Sequence, residues 1–176
     1  METCFREPIP ALFDAAHFLD AAVSVHLVGD EGIARERFQA ANISLVREWL
    51  ESIWGPKSQY VTVQPLPAPA DASKVELRMP TKAQIHALHA RDGFHCRCFG
   101  IPVIRPEVRQ AALRLNPDAI SWGRTNASQH AGFQTRWAQY DHVVPHPCGG
   151  TNQLDTEIVR LSCLVGMAWS GCSFGV

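Results

Sequence analysis

The apolar positions in the first 54 residues recur at the three- and four-residue spacing of amphipathic helices. The pattern predicts three helices, over residues 11–28, 31–41 and 43–53. Asp30 and Asn42 stand immediately before the second and third helices, where short polar side chains usually cap a helix start. We therefore expect residues 1–60 to form a helical N-terminal region.

A different composition follows. Residues 61–80 contain four prolines and a run of small polar and alanine residues, which is typical of a linker. Thr81 is then expected to cap a helix over residues 82–91, which ends at the glycine of Asp92-Gly93.

The elements predicted after Gly93 are shorter. They are a hairpin with arms 94–99 and 101–104, a helix from Pro106 to about Leu115, a helical run 126–137, a strand 140–144, a loop 145–153 and a final helix within 154–168. Residues 81–176 are therefore expected to be a second domain that mixes helices and strands, so that the whole chain belongs to the α+β class.

Composition narrows the possible environments and partners. Apolar residues make up 46% of the chain, which is enough for a packed core, and no run approaches the roughly 18 apolar residues of a membrane span. The N-terminus lacks the pattern of a secretory signal, so the expected compartment is a reducing cytoplasm. The net charge is −1, but residues 81–176 carry nine Lys and Arg against six Asp and Glu, a balance that suits contact with a polyanion.

In a reducing compartment, the six cysteines are more readily metal ligands or buried thiols than disulfides. Four of them could supply a structural zinc site, namely Cys96, Cys98, Cys163 and Cys172. Neither pair has the two-residue spacing of a zinc knuckle, and His95 or Cys148 could replace a ligand. Inert buried thiols are the alternative.

An acid next to a histidine, Asp141-His142, precedes a loop rich in proline and glycine. The carboxylate can hold a divalent ion such as Mg²⁺ or Mn²⁺, and the imidazole can take a proton from water at neutral pH. Gly149-Gly150 would let the loop backbone approach a phosphate, and Asn152 could orient the imidazole or simply form a turn. The pattern indicates metal-assisted hydrolysis of a phosphodiester.

Residues 94–104 (FHCRCFGIPVI) and 140–152 (YDHVVPHPCGGTN), with Ser121–Arg124 and Gln129–Gln134 between them, resemble the HNH endonuclease family. The resemblance covers about residues 81–176 and implies a ββα-metal fold, one divalent ion and DNA as the substrate. It makes Asp141 the metal-binding acid and His142 the general base. It also assigns Cys96 and Cys98 to the first zinc knuckle and Cys172 to the end of the second.

The chain departs from the family at four places, one of which is that residues 163–172 are longer than the usual second knuckle. In addition, one residue instead of two separates Cys96 from Cys98, Thr156 follows Leu154-Asp155 where the family usually has Asn, and Ser173 stands where a second metal ligand is usual. An active nuclease would then recruit a replacement ligand, with Glu157, Asp155 and Asn152 as candidates. The alternatives are a degenerate HNH domain or zinc-braced nucleic-acid-binding module without catalytic activity, and a helical interaction protein that acts through residues 11–54.

Contacts to DNA phosphates are predicted for Arg97, Arg124 and Arg136, with Arg105 and Arg109 as further possibilities. Trp122, Trp137 and Trp169 could stack on bases, although core packing is the preferred interpretation of tryptophans in a small domain. No membrane partner is expected.

Overall fold

The computed structural model describes residues 7–54, 80–97, 99–142 and 157–161, and this part of the chain is mostly helical. Its elements are α1 (Pro10–Leu27), α2 (Glu31–Ala40), α3 (Ser44–Trp54), α4 (Lys82–Asp92), α5 (Pro106–Leu115), a 3₁₀ helix (Asn126–Ser128), α6 (Ala131–Thr135), β1 (Ala138–His142) and β2 (Glu157–Leu161). Within these ranges, no helix combines the length and apolarity that crossing a lipid bilayer requires.

The three predicted N-terminal helices are confirmed, but one of their two predicted caps is wrong. The side chain of Asp30 accepts a hydrogen bond from the Ile33 amide at 3.1 Å and caps α2 as expected. The Oδ1 atom of Asn42 instead accepts from the Ala131 amide at 2.8 Å and from the Arg47 guanidinium at 2.9 Å. Asn42 therefore stabilises the start of α6, which lies far along the chain, and leaves α3 without this cap.

Helices α4 and α5 begin and end close to the predicted residues. Thr81 and Gln84 form a reciprocal capping box at the start of α4, and Gly93 ends this helix in the left-handed conformation with a φ of 63°. Pro106 opens α5, where its fixed φ and missing N–H carry no penalty. At the predicted hairpin, His95 and Pro102 form an antiparallel bridge and the Cys96 amide donates to the Ile101 carbonyl at 2.9 Å, while Cys98 in its first arm lies outside the described residues.

The predicted helix over residues 126–137 is wrong as a continuous element. It is divided into the 3₁₀ helix and α6 by an extended backbone at Gln129 and His130. The guanidinium of Arg47 explains the break, since it donates to the carbonyls of Asn126, Ala127 and Gln129 at 2.8–3.1 Å. Because the Arg47 guanidinium satisfies these carbonyls, they do not need the backbone N–H donors that a continuous helix would supply.

The strand predicted over residues 140–144 lies earlier, at Ala138–His142, and Val143 and Val144 lie outside the described residues. The final helix predicted within residues 154–168 is wrong for Glu157–Leu161, which forms β2. β1 and β2 pair in antiparallel fashion, with Tyr140 opposite Val159. Apolar β-branched residues in β2 favour a paired strand over a helix once a partner strand is present.

Residues on both sides of the predicted linker build the same cores. One buried cluster joins Leu12 of α1 and Trp49 of α3 with Leu88 of α4 and Ala138 of β1. A second joins apolar residues of the same two parts of the chain, namely Leu19, Ala22, Phe38 and Ala41 with Ala119, Ile120 and Phe133. The predicted boundary between residues 1–60 and 81–176 thus separates segments that pack on each other. The linker lies outside the described residues, except for Pro80.

Candidate functional site

Asp141 and His142 are the last two residues of β1. In the antiparallel register, position 142 is opposite Glu157 and position 141 is opposite Ile158. Directly opposed positions share one face of a sheet, and successive positions alternate between faces. Position 157 therefore falls on the same face as position 142, and position 141 falls on the other. Two further candidate ligands, Asn152 and Asp155, lie outside the described residues.

A buried polar contact connects β1 to α4. The Nε2 atom of His89 lies 2.9 Å from the hydroxyl oxygen of Tyr140, and only 3% of His89 is exposed. The imidazole also stacks on Phe94, with 4.8 Å between the ring centroids and 17° between the planes. Burial lowers the pKa of His89, with the nearby charge of Arg105 acting in the same direction, and burial raises the pKa of Tyr140. A neutral imidazole and a protonated phenol therefore share this hydrogen bond at neutral pH.

A cavity of about 480 Å³ lies beside this pair. Its walls include Lys82, His86, His89, Phe94, Arg105 and Tyr140. Among the described residues that line it, Glu107 carries the one negative charge, against the two cationic side chains of Lys82 and Arg105. We call it the α4–α5 cavity, because α4 and the start of α5 form two of its sides.

The predicted zinc ligands are mostly beyond what the structure describes. Cys96 is 1% exposed and lies in the first hydrophobic core cluster, while Cys98, Cys163 and Cys172 lie outside the described residues. In the part of the chain that the structure describes, no three His, Cys, Asp or Glu side chains come together as a metal site. The described donors therefore do not by themselves make a metal centre, and both metal assignments stay predictions.

The structure gives Arg136 a different place from the predicted DNA contact. Its side chain is 4% exposed, and its guanidinium donates to the carbonyls of Pro102 at 2.9 Å and Ala16 at 3.2 Å, and to Asp20. A guanidinium enclosed in this way holds elements of the fold together and cannot reach a phosphate in solution. Arg97 and Arg124 are both exposed, and Arg97 lies 3.7 Å from the buried carboxylate of Asp92.

Arg109 lies against two tryptophans. Its guanidinium carbon is 3.9 Å from the ring centroid of Trp122 and 4.7 Å from that of Trp137. All three side chains are half-buried, and burial lowers the pKa of Arg109. The preferred packing interpretation is consistent with this contact for Trp122 and Trp137, and Trp169 lies outside the described residues. Cation–π contact restrains Arg109, so it is a poorer phosphate ligand than an extended surface arginine.

The α4–α5 cavity was not anticipated from the sequence, where His86 and His89 fit an ordinary amphipathic helix. A usable signal was the spacing of Lys82, His86 and His89, which places all three on one side of α4. No local sequence pattern indicated that Arg105 and Tyr140 line the same cavity, because these residues come from other elements. Comparisons with protein-family models, with curated proteins and with solved structures found no match for this chain.

Proposed function

We propose that this protein is a metal-dependent endonuclease of the HNH type that hydrolyses phosphodiester bonds of DNA. The observation that carries the proposal is the antiparallel pairing of β1 and β2, with Asp141-His142 at the end of β1 and Glu157 opposite His142. Two antiparallel strands are the first part of a ββα-metal fold. The acid–histidine pair lies at the end of the first strand, where such a fold would need its reactive groups.

In this proposal His142 is the general base. A water oxygen attacks the phosphorus while the imidazole takes the water proton, the bond from phosphorus to the leaving sugar oxygen breaks, and that oxygen takes a proton from solvent. Asp141 would hold one divalent ion, Mg²⁺ or Mn²⁺, since hard carboxylate oxygens suit both ions. When bound, such an ion supplies Lewis-acid stabilisation of the phosphate charge.

The register suggests a supporting role for Glu157 that differs from that of a replacement metal ligand. Its position falls on the face of position 142 and not on that of Asp141. From this position, a carboxylate would favour the protonated imidazole of residue 142 and could hold the ring in one orientation. We therefore assign Glu157 as a positioning residue for His142.

Nicking of a supercoiled plasmid in the presence of Mg²⁺ or Mn²⁺ tests the proposed activity. His142→Ala is expected to lower the nicking rate by at least about 100-fold, the usual contribution of a general base. Asp141→Ala is expected to lower it comparably and to raise the metal concentration needed. His17→Ala is the matched control, because His17 is exposed on α1. Equal nicking by His142→Ala and the unsubstituted protein would refute the catalytic proposal.

The role of Glu157 can be separated by its pH profile. Removing the carboxylate in Glu157→Gln is expected to move the acid limb of the nicking rate to lower pH, with an unchanged metal requirement. Arg160→Gln changes a charge on the same strand, at a position opposite Gln139 and on the other face, and should leave the profile in place. A Glu157→Gln protein that is rescued by more metal would identify this residue as a ligand instead.

A nucleic-acid-binding module without catalysis is the second candidate. The observation that favours it is that Arg97 and Arg124 are exposed, where they can contact phosphates. DNA binding by the unsubstituted protein without nicking at any metal concentration would support this second function.

A further inference from the structure

The α4–α5 cavity has the size of a binding site for a small ligand. Its volume of about 480 Å³ lies within the range of roughly 300–1,000 Å³ for such pockets. Lys82, His86 and His89 form the α4 side, and Arg105 with Glu107 forms the opposite side at the start of α5. Since residues of separate elements converge on it, the cavity is built by the tertiary fold.

The charge on its walls favours an anion. Arg105 precedes the first turn of α5, a helix of ten residues whose N-terminal end carries partial positive charge. Arg105 and Lys82 are both exposed and carry full positive charges, whereas Glu107 opposes them with one negative charge. A ligand with one or two negative charges would therefore complement this surface.

His89 places a buried polar side chain in the wall of the cavity. It is 3% exposed, its Nε2 faces the Tyr140 hydroxyl, and its Nδ1 has no hydrogen-bond partner among the described residues. If Tyr140 donates to Nε2, then Nδ1 carries the proton of the neutral ring and needs an acceptor. Leaving such a donor unpaired in a buried position is costly, and an unsatisfied polar group of this kind beside a cavity is a sign of a functional surface.

Phe94 offers an aromatic surface at the same place. It is 45% exposed although one side of its ring stacks on His89, and the Arg105 guanidinium lies 5.9 Å from its centroid. Its φ of 58° lies in the left-handed region, which a bulky residue rarely adopts. Such conformations persist where the surrounding structure holds them, often at ligand sites. The exposed ring can stack on a nucleobase.

We propose that the α4–α5 cavity binds one nucleotide of a single-stranded nucleic acid, with its phosphate at Arg105 and Lys82 and its base against Phe94. This proposal deepens the proposed nuclease function, and it rests on that function for the choice of a nucleic acid as the ligand. Tyr140, which lines the cavity, lies two residues before His142 on β1. A nucleic-acid strand bound in the cavity would therefore lie next to the end of β1 that carries the proposed general base.

Fluorescence anisotropy of a labelled single-stranded oligonucleotide of about ten nucleotides, measured in EDTA so that no cleavage occurs, tests the proposal. Arg105→Ala is expected to weaken binding roughly tenfold, the loss typical of a charged hydrogen bond. Arg114→Ala is the matched control, because Arg114 is exposed in the last turn of α5 and does not line the cavity. It should change the dissociation constant by less than about twofold.

Glu107→Gln tests the proposal through an expected gain in affinity for the oligonucleotide. Removing the opposing charge is expected to tighten binding by about two- to threefold, and this variant keeps the proposal testable even if Arg105→Ala does not fold. Equal binding by the Arg105→Ala and Arg114→Ala proteins, both folded by circular dichroism, would overturn the proposal. So would a Glu107→Gln protein with unchanged affinity.

Competition distinguishes a nucleotide site from a phosphate site. Deoxyadenosine monophosphate should displace the oligonucleotide at a lower concentration than inorganic phosphate does, because only the nucleotide can stack on Phe94. Equal displacement by both would overturn the assignment of the base to Phe94. The nuclease proposal is tested separately by nicking with His142→Ala, so either proposal can fail while the other stands.

Discussion

The Nε2 atom of His89 lies 2.9 Å from the hydroxyl oxygen of Tyr140, and this contact joins α4 to β1. The two rings also meet edge to face, with 5.7 Å between their centroids and 88° between their planes. The contact positions the strand that ends in Asp141-His142 against the helix that forms one side of the α4–α5 cavity. The proposed catalytic and binding sites therefore share a structural support.

Tyr140→Phe removes the hydroxyl from this support. The buried imidazole then lacks a partner for either nitrogen among the described residues, so we expect the free energy of unfolding to fall by about 1–3 kcal/mol in urea titrations. In a double-mutant cycle with His89→Phe, the second substitution should cost less in the Tyr140→Phe background than alone. Additive losses would show that the two side chains are not coupled.

Arg136 is expected to be a stabilising residue of the fold. Arg136→Met leaves the carbonyls of Pro102 and Ala16 without their guanidinium donor, so the free energy of unfolding should fall by roughly 2–4 kcal/mol. Asp20→Asn should cost less than about 1 kcal/mol, because that carboxylate is 61% exposed. The control Arg124→Met changes an exposed arginine and should stay within about 0.5 kcal/mol. Equal stability of the two Met variants would contradict this role.

Gly132 is required where α6 approaches the end of α2. A Cβ atom at this position would lie 2.7 Å from the Ala41 carbonyl oxygen, so Gly132→Ala is expected to destabilise the protein by about 1–3 kcal/mol. Gly32→Ala is a matched control in α2, where the nearest atom to the added Cβ is 3.7 Å away. It should stabilise the protein by roughly 0.5 kcal/mol. Thermal unfolding of both variants measures the difference, and opposite signs are the expected result.

The buried His130 predicts a loss of stability on acidification. Burial lowers its pKa below 6.5, and the neutral ring donates from Nε2 to the Phe38 carbonyl at 2.8 Å while Nδ1 accepts from the Phe133 amide. The unfolded chain protonates this residue first, so its contribution to stability is full above pH 6.5 and is lost as the pH falls toward the lowered folded value.

Urea unfolding at about pH 7.5 and about pH 5.5 checks this prediction. The free energy of unfolding should fall between these two values, and His130→Asn should fall less, because it removes a titrating group that the fold keeps neutral. An identical fall in both proteins would show that His130 does not contribute to the acid sensitivity.

Metal analysis of the purified protein tests the predicted zinc site. We expect about one zinc ion per chain, with loss of that zinc in Cys98→Ser and Cys172→Ser. Cys4→Ser is the matched control, because Cys4 stands apart from the other five cysteines in the sequence and is not among the predicted ligands. A folded protein without zinc would eliminate the site, and retention of zinc by Cys98→Ser would point to the alternative ligands His95 or Cys148.

The local sequence was sufficient to predict the five helices α1 to α5, and it placed a hairpin where the structure has one antiparallel bridge, between His95 and Pro102. In each case the determining signals lie within the element or next to it, such as the Asp30 cap, the Thr81 capping box and the proline that opens α5. The candidate pair Asp141-His142 was likewise visible as neighbouring residues in the sequence. Errors arose at residues 126–137 and 157–161, where partners from other parts of the chain determine the backbone.

The sequence by itself thus determined where most helices begin and end, because capping and periodicity act over a few residues. Only the tertiary structure decided that Arg136 is buried, since its acceptors lie 34 and 120 positions away in the chain. It also decided that Glu157 lies opposite His142, and that His89 and Arg105 border one cavity. These relationships depend on which distant segments pack together, and no local pattern of residue types specifies that.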